Sequence, residues 1–275
     1  MNSTVKRSIF GAVFLAVMLG GLLVNRLCFN ILFAFISCVM VLEFLRITLG
    51  KAHRPVRIAT AVVAVLAFVS VGLVTGVSQL DPKWLSLNLI FLILLMVLMI
   101  LDHTQFKDYA YVFSALLYIA VPLALSHFVV SSEGVFDGRL MLAFFIVIWA
   151  SDVGAYCFGM LLGQRVWPAK MCPDISPKKS WAGFFGGLIT AAAAAVIMLK
   201  TGLIGFPTIH VLVMAILMSI SGVFGDLFES LWKRQFGVKD SGNIIPGHGG
   251  LLDRFDSSLF AIPTGYVYLL LNGLL

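Results

Sequence analysis

Charged residues are scarce in this sequence of 275 residues, because Asp, Glu, Lys and Arg together make up only 12% of it. Soluble globular domains carry about 25% of these residues, which cover their surface. Hydrophobic residues reach 60% here. The composition excludes a water-soluble surface, and it predicts a single integral membrane domain over residues 1–275 without a separate soluble domain.

Cysteine is also rare, and its spacing excludes two further classes of protein. Cys28, Cys38, Cys157 and Cys172 are too far apart for a zinc site, and they do not form a disulfide framework. We expect all four to be packing residues. A cleaved signal peptide is not indicated either, because more apolar runs follow the first one.

What the sequence does contain is a series of apolar runs of spanning length. A helix needs about 20 apolar residues to cross a bilayer. The runs lie near residues 8–24, 27–48, 57–79, 87–101, 109–130, 139–162, 181–199, 207–224 and 257–274. They predict an all-α fold, a polytopic transmembrane helix bundle with about nine spanning helices.

The basic residues are distributed unevenly over the two sides of this predicted bundle. With a cytoplasmic N-terminus, only four of the 19 Lys and Arg residues fall on the opposite side, namely Arg26, Lys83, Arg139 and Lys200. Basic loops are retained in the cytoplasm during insertion. The net charge of +6 therefore indicates orientation, and we expect no nucleic-acid partner.

Two long polar loops are predicted on the cytoplasmic side, at residues 163–180 and about 225–256. Such loops usually have a function, and these are rich in Gly, Pro, Lys and Asp. The first five helices carry little polarity beyond Glu43 and a few hydroxyls. We therefore predict cytoplasmic active-site loops, with residues 1–138 mainly scaffold helices and residues 139–275 the catalytic half.

Polar residues follow the eighth apolar run without a break, so the helix is predicted to continue past the membrane boundary. Asp226, Glu229 and Lys233 are spaced i, i+3 and i+7, on one helix face, and Ser230 adjoins them. An amphipathic helix end with an ion pair would explain the pattern. An acid at membrane depth also indicates a functional site, and both interpretations stay open.

The segment from Lys239 to Asp256 is rich in glycine and leads into the last helix. Glycines let backbone N–H groups approach a phosphate closely, and His248 lies among them as a further donor. A flexible turn is the alternative. Asp253 and Asp256 open the helix at i and i+3, and capping would account for one of them.

Carboxylates at the ends of two helices suit a metal-dependent phosphoryl transfer. Mg²⁺ prefers oxygen ligands, keeps several waters and bridges to substrate phosphates. Asp226 and Asp253 are therefore the candidate ligands for Mg²⁺ or another divalent cation. The nearby cations that could neutralise a triphosphate and departing pyrophosphate are Lys233, Arg234, Lys239 and Arg254.

A third constellation contains Asp152, inside or near the end of the sixth run, followed by Ser176-Pro177-Lys178-Lys179. A buried Asp can be a structural hydrogen-bond hub, but an ionisable group in a spanning segment is functional by default. The Ser-Pro-Lys-Lys run is either a topology anchor or a pair of cations held toward phosphates.

These motifs together resemble the phosphatidate cytidylyltransferase family, also called CDP-diacylglycerol synthases. The family signature reads Ser-x-x-Lys-Arg, four residues, Lys-Asp-x-Gly, then Pro-x-His-Gly-Gly-x-x-Asp-Arg-x-Asp. The residues that match it here are Ser230, Lys233, Arg234, Lys239, Asp240, Gly242, Pro246, His248, Gly249, Gly250, Asp253, Arg254 and Asp256. The resemblance covers the C-terminal half well and the first half only in hydropathy.

The resemblance implies an all-helical, dimeric membrane enzyme, and the distribution of Lys and Arg predicts that its site faces the cytoplasm at the cell inner membrane. Phosphatidic acid would attack the α-phosphorus of CTP and release pyrophosphate, with Mg²⁺ on Asp226 and Asp253. The implied catalytic residues are Asp226, Asp253, Lys233, Arg234, Lys239, Asp240 and Arg254. The implied substrate-binding residues are Asp152, Ser176, Lys178, Lys179, Ser230, His248, Gly249, Gly250 and Asp256.

One departure from the family pattern keeps a second substrate open. The family has Thr-Trp-Glu-Gly after Ser-Pro-Lys-Lys, whereas this chain has Ser180-Trp181-Ala182-Gly183 and so lacks one carboxylate. A relative acting on another lipid phosphate is one alternative. A polytopic transporter is the other, although the polar residues cluster at one face instead of tracing a path across the membrane.

Overall fold

Helices dominate the computed structural model, which describes residues 3–50, 53–76, 80–132, 134–163, 166–244 and 249–275. The α-helices are α1 (Ser3–Leu23), α2 (Arg26–Thr48), α3 (Arg54–Gly76), α4 (Leu87–Leu101), α5 (Phe106–Ala115), α6 (Val121–Val129), α7 (Arg139–Leu161), α8 (Trp181–Lys200), α9 (Thr208–Gln235) and α10 (Leu252–Leu271). A 3₁₀ turn, Pro82–Ser86, precedes α4. The predicted all-α fold is confirmed.

Seven helices of the described chain are long and apolar enough to cross a membrane. They are Arg26–Thr48, Arg54–Gly76, Pro82–Leu101, Phe106–Val129, Arg139–Leu161, Trp181–Lys200 and Thr208–Gln235, and Ser8–Leu23 is a shorter apolar helix. The last predicted span, α10, carries Asp253, Arg254 and Asp256 near its start, and these residues lower its hydropathy. The protein is therefore a multi-pass membrane protein, and the prediction of about nine spans is roughly met.

One predicted span, residues 109–130, is interrupted by a π-helical turn. Leu116–Ala120 forms this turn between α5 and α6, and Pro122 follows at the start of α6. Proline has no backbone N–H to donate, and its ring displaces the carbonyl of the preceding turn. The wider π turn accommodates this mismatch while the helix continues through the span.

Two short β-hairpins complete the described structure. β1 (Ser131–Ser132) pairs with β2 (Val135–Phe136), and β3 (Lys170–Cys172) pairs antiparallel with β4 (Ser176–Ser180). The second hairpin lies in the predicted loop 163–180. Adjacent side chains of a strand point to opposite faces, and accordingly Lys178 is exposed whereas Lys179 is partly buried.

The chain divides into two compact units. The first unit contains Met1–Gly138 and Lys239–Arg254, and the second contains Arg139–Val238 and Phe255–Leu275. One boundary between the units follows Gly138, and the assignment of residues 1–138 as mainly scaffold and 139–275 as the catalytic half stays a prediction. Residues 239–254 of the glycine-rich segment belong to the first unit, which sequence order did not indicate.

Aromatic side chains form the core of the first unit. Phe29 stacks on Phe33 with ring centroids 4.4 Å apart, and the Phe68 ring lies 4.2 Å from the imidazole of His127. All four side chains are fully buried. Because α2, α3 and α6 each contribute to this cluster, it fixes these three helices against one another.

Small residues let α7 and α8 pack closely in the second unit. A Cβ added to Gly154 would lie 1.9 Å from the Thr190 hydroxyl, and one added to Gly186 would lie 2.3 Å from Phe158 Cβ. The Thr190 hydroxyl donates to the Ala150 carbonyl at 2.9 Å. Such close approach stabilises helix pairs that have no hydrophobic driving force in lipid.

The cysteines are free thiols in the described structure. Cys28, Cys38 and Cys172 are partly buried, as expected for packing residues. Cys157 is exposed on α7, so the expectation that all four are packed inside the protein was wrong for this residue. Its neighbours in α7 are exposed and apolar, such as Val153 and Met160, which suits a surface in contact with lipid.

Candidate functional site

The C-terminal end of α9 carries a polar face in the second unit. The helix continues unbroken through Asp226 to Gln235, which confirms the predicted extension beyond the apolar run. The Ser230 hydroxyl donates to Asp226 Oδ1 at 3.2 Å, and Lys233 forms an ion pair with Glu229, a side chain with no exposed surface. Both contacts are i, i+4 pairs, as expected for residues on one helix face.

The second hairpin supplies a cation to this face. Lys179 Nζ lies 2.9 Å from Asp226 Oδ2 and donates to the Val223 carbonyl at 3.2 Å. Serine at position 180 ends the hairpin and caps α8, since its hydroxyl accepts from the Gly183 N–H at 3.2 Å. A predicted phosphate-binding lysine is thus paired with a predicted metal ligand.

A second carboxylate of this unit, Asp256, lies in the electrostatic field of the same groups. Asp226 and Asp152 repel its charge and Lys233 attracts it. The Ser257 N–H donates to Asp256 Oδ1 at 2.7 Å. Asp152 and Asp226 are therefore close enough to repel the charge of Asp256. A bound cation would reduce this repulsion.

Gly225 allows α9 and α10 to approach each other beside this region. A Cβ at this position would lie 2.5 Å from the carbonyl oxygen of Asp256 and 3.3 Å from Phe260 Cβ. Any larger residue would push α10 away from α9. The glycine preceding Asp226 therefore sets the spacing between the two helices that carry Asp226 and Asp256.

In the first unit, Asp253 organises the glycine-rich segment. Its Oδ2 atom accepts hydrogen bonds from the Gly250 N–H at 2.7 Å, the Ser241 N–H at 2.9 Å and the Ser241 hydroxyl at 3.0 Å. Two N–H groups and one hydroxyl thus donate to the same carboxylate oxygen. Asp253 is thus held in one orientation by the segment that precedes it.

Glu43 of α2 contacts the same glycine-rich segment, and sequence reasoning had not placed it among the site residues. Its carboxylate accepts from the Leu251 N–H at 3.1 Å and from the Leu252 N–H at 2.9 Å, and it lies 3.3 Å from the Ser241 hydroxyl. It is 7% exposed. The available signal was a lone acid in an apolar helix, but nothing local indicated its partners.

The glycines of this segment leave room for the two carboxylates. A Cβ on Gly242 would lie 2.3 Å from Glu43 Oε1, and one on Gly250 would lie 2.7 Å from the same atom. Gly249 has a φ of +84°, which L-residues with side chains rarely adopt, and a Cβ there would lie 2.6 Å from Asp253 Oδ2. In this structure the glycines therefore pack around Glu43 and Asp253.

The other predicted site residues lie mainly at the surface. Lys178, Arg234, Lys239, Asp240 and Arg254 are exposed, and Ser176 is partly buried. Asp152, expected within a spanning segment, is in α7 and is exposed. His248 lies outside the described residues. Ala182, at the family's glutamate position, is only 4% exposed.

The donor chemistry fits a divalent cation that arrives together with phosphate. Among the described residues, no three His, Cys, Asp or Glu side chains are grouped so that they could hold a metal ion. Mg²⁺ does not require such a cage, because it keeps waters and binds through one or two carboxylates plus substrate phosphates. The side chain of Asp226 is 36% exposed and so remains accessible to such a complex.

Comparison with known proteins identifies relatives over most of the chain. Residues 5–272 match the model of the cytidylyltransferase family. A phosphatidate cytidylyltransferase of Staphylococcus saprophyticus is 35% identical over 251 residues, which cover 91% of this chain and 92% of the relative. Proteins of the same name are 34% identical over 233 residues in Staphylococcus haemolyticus, covering 84% and 86%, and 36% identical over 198 residues in Bacillus subtilis, covering 71% and 70%.

Proposed function

The chain belongs to the cytidylyltransferase family, and we propose from this premise that it converts CTP and phosphatidic acid into CDP-diacylglycerol and pyrophosphate. The observation that carries the proposal is the similarity to phosphatidate cytidylyltransferases over as much as 91% of the chain. The protein is a nucleotidyltransferase of phospholipid biosynthesis in a cell membrane.

The reaction is a phosphoryl-type displacement at the α-phosphorus of CTP. A phosphate oxygen of phosphatidic acid forms the new P–O bond, and the bond from the α-phosphorus to the bridging oxygen breaks. Pyrophosphate leaves with that oxygen and its electron pair. Because the nucleophile is already an anion, positioning and charge neutralisation contribute more than a protein base, and we assign no general base.

We propose Mg²⁺ as the cofactor, with Asp226 and Asp253 as its protein ligands. When bound, the cation would neutralise phosphate oxygens and orient the triphosphate. The pairing of these two residues is based on the sequence pattern. Support comes from each residue in its own unit: Asp226 is accessible and already attracts Lys179, and Asp253 is oriented by three hydrogen bonds to one oxygen.

The remaining predicted site residues would bind and neutralise the substrates. The cations proposed for the phosphates are Lys178, Lys179, Lys233, Arg234, Lys239 and Arg254. The proposed polar contacts are Asp152, Ser176, Ser230, Asp240, His248, Gly249, Gly250 and Asp256, with His248 as a phosphate or ribose contact. Exposed cations such as Arg234 and Lys239 are available to an anionic ligand from solution.

We further propose that the site faces the cytoplasm and that the protein forms a homodimer. The orientation is supported by the excess of Lys and Arg in the loops predicted to be cytoplasmic. The dimer follows from the family resemblance. Neither affects the chemistry assigned to the individual residues.

The function is tested with the purified protein in detergent, given radiolabelled CTP, Mg²⁺ and phosphatidic acid. We expect a labelled CDP-lipid and an equal amount of pyrophosphate. Turnover only with a different lipid phosphate would contradict phosphatidic acid as the substrate. Absence of turnover with every lipid phosphate and divalent cation would contradict the enzyme activity and favour the transporter interpretation.

Lys179→Met should lower kcat/KM for CTP. Lys179 is the cation 2.9 Å from Asp226, and losing a charged hydrogen-bond donor corresponds to a decrease of about 10-fold to 100-fold. Initial rates at varied CTP concentration measure it. Lys170→Met removes an exposed lysine of the same hairpin and should behave as the unmodified protein. Equal rates for the two variants would contradict the role of Lys179.

A further inference from the structure

An apolar groove lies beside the glycine-rich segment in the first unit. It has a volume of about 210 Å³. Side chains of α1 and α2 form its walls, and two residues of the glycine-rich segment close one side. The residues that line the groove include Phe14, Val17, Leu32, Ile36, Ile244 and Leu251. The groove therefore belongs partly to the scaffold helices and partly to the segment that holds Asp253.

Leu251 connects this groove to the polar network. Its side chain lines the groove, whereas its N–H donates to Glu43 at 3.1 Å. The preceding N–H, that of Gly250, donates to Asp253 at 2.7 Å. One short stretch of backbone thus presents an apolar side chain to the groove and a peptide N–H to the proposed metal ligand.

The groove opens at a surface that suits lipid. Val13 and Val17 of α1 are 53% and 50% exposed, and Phe35 of α2 is 57% exposed. α2 is a candidate span, and the Ser8–Leu23 part of α1 is apolar. The volume is below the roughly 300 to 1,000 Å³ of sites that enclose a whole small ligand. It therefore suits part of one hydrocarbon chain.

We infer that this groove binds one acyl chain of phosphatidic acid and so places the lipid phosphate beside the glycine-rich segment. The inference rests on the proposed function. Phosphatidic acid joins a phosphate to two acyl chains through glycerol, so a bound acyl chain restricts where its phosphate can lie. Transfer of a chain from lipid to an apolar groove gains little free energy. The groove therefore orients the substrate instead of providing most of its affinity.

A photoactivatable phosphatidic acid with a diazirine in one acyl chain tests the inference on the full-length protein. After irradiation in detergent and digestion, we expect label on α1, α2 and the Ile244 and Leu251 region. Unlabelled phosphatidic acid should compete for this label, and phosphatidylcholine with the same chains should not. Even labelling of all exposed helix faces, or equal competition by both lipids, would overturn the inference in favour of ordinary bilayer lipid.

Val17→Trp, which fills the groove from an exposed position, provides a kinetic test. We expect KM for long-chain phosphatidic acid to rise about 10-fold or more, because the phosphate is misplaced, while KM for CTP stays unchanged. Leu15→Trp, at an exposed site of α1 outside the groove lining, is the matched control and should have no effect.

The two hypotheses fail in different ways. If the unmodified protein does not turn over CTP even with water-soluble dihexanoyl phosphatidic acid, the proposed function is wrong. If it does, but Val17→Trp has the same KM for long-chain substrate as Leu15→Trp, only the groove assignment is wrong. The crosslinking result on the unmodified protein decides the question should Val17→Trp fail to fold.

Discussion

Asp226→Asn is expected to lower kcat by at least about 10³-fold while the protein still inserts and folds, because the substitution removes the charge that would hold a divalent cation. Its Oδ2 is paired with Lys179 and its Oδ1 accepts from Ser230. An amide keeps the shape but not the charge. Turnover of CTP at saturating Mg²⁺ measures the loss of kcat, and thermal unfolding checks that the variant is folded.

Asp253→Asn is expected to cause a similar loss, accompanied by disturbance of the glycine-rich segment. Oδ2 of Asp253 accepts three hydrogen bonds. In one orientation of the asparagine amide, an NH₂ group would replace this oxygen and would face the same three donors. Binding of Mn²⁺, followed by electron paramagnetic resonance, should weaken in both variants.

The matched control for both substitutions is Asp81→Asn. Asp81 is an exposed acid paired only with the neighbouring Lys83 in the described structure, and its loss should leave turnover and Mn²⁺ binding unchanged. Near-normal rates for Asp226→Asn or Asp253→Asn would remove that residue from the proposed metal site. Addition of EDTA should abolish turnover of the unmodified protein, and excess Mg²⁺ should restore it.

Glu43→Ala is expected to lower both stability and turnover, although Glu43 is assigned no contact with substrate. It would leave the N–H groups of Leu251 and Leu252 without their buried acceptor, at about 1–3 kcal/mol for each unsatisfied group. The Asp253 network depends on the same segment. We therefore expect kcat to fall about 100-fold, with a lower unfolding temperature.

Hydrogen exchange separates a positioning role from general destabilisation. Glu43→Gln is nearly isosteric but places an amide NH₂ near peptide donors, so exchange should increase in residues 249–254 and not in α7 or α8. Ser37→Ala removes a buried hydroxyl of the same helix that has no hydrogen-bond partner among the described residues, and it should change neither exchange nor turnover. Faster exchange throughout the protein in Glu43→Gln would contradict a local role.

Local patterns in the sequence were sufficient for most helices. The predicted run 139–162 became Arg139–Leu161, and the run 181–199 became Trp181–Lys200. The polar residues after Phe224 were correctly assigned to a continuing helix, because their spacing repeats at the period of a helix face. The π turn before Pro122 was missed, since a proline inside the predicted run 109–130 does not by itself reveal how the preceding turn adjusts.

Pairings between distant segments could not be predicted in the same way. The hairpin at Lys170–Ser180 has no strong strand pattern, and its lysine pairs with Asp226 only because the chain folds back onto α9. Likewise, the close approach of a phosphate to the glycines near position 250 stays a prediction, and the structure shows in addition that Gly242 and Gly250 leave room for the carboxylate of Glu43. Glycine spacing indicates close approach without identifying the approaching group.

The sequence by itself determined that this is a polytopic helical membrane protein, because hydropathy and helix period are local properties, and its interrupted Ser-Lys-Arg to Asp-Arg-x-Asp pattern predicted the family. Scarcity of charge was the first part of that argument. Only the tertiary structure showed that Glu43, one of the few acids in the first half of the chain, accepts hydrogen bonds from the start of the last helix. Its partner Leu251 lies 208 residues away, and a contact at that separation is decided by packing, not by any local pattern.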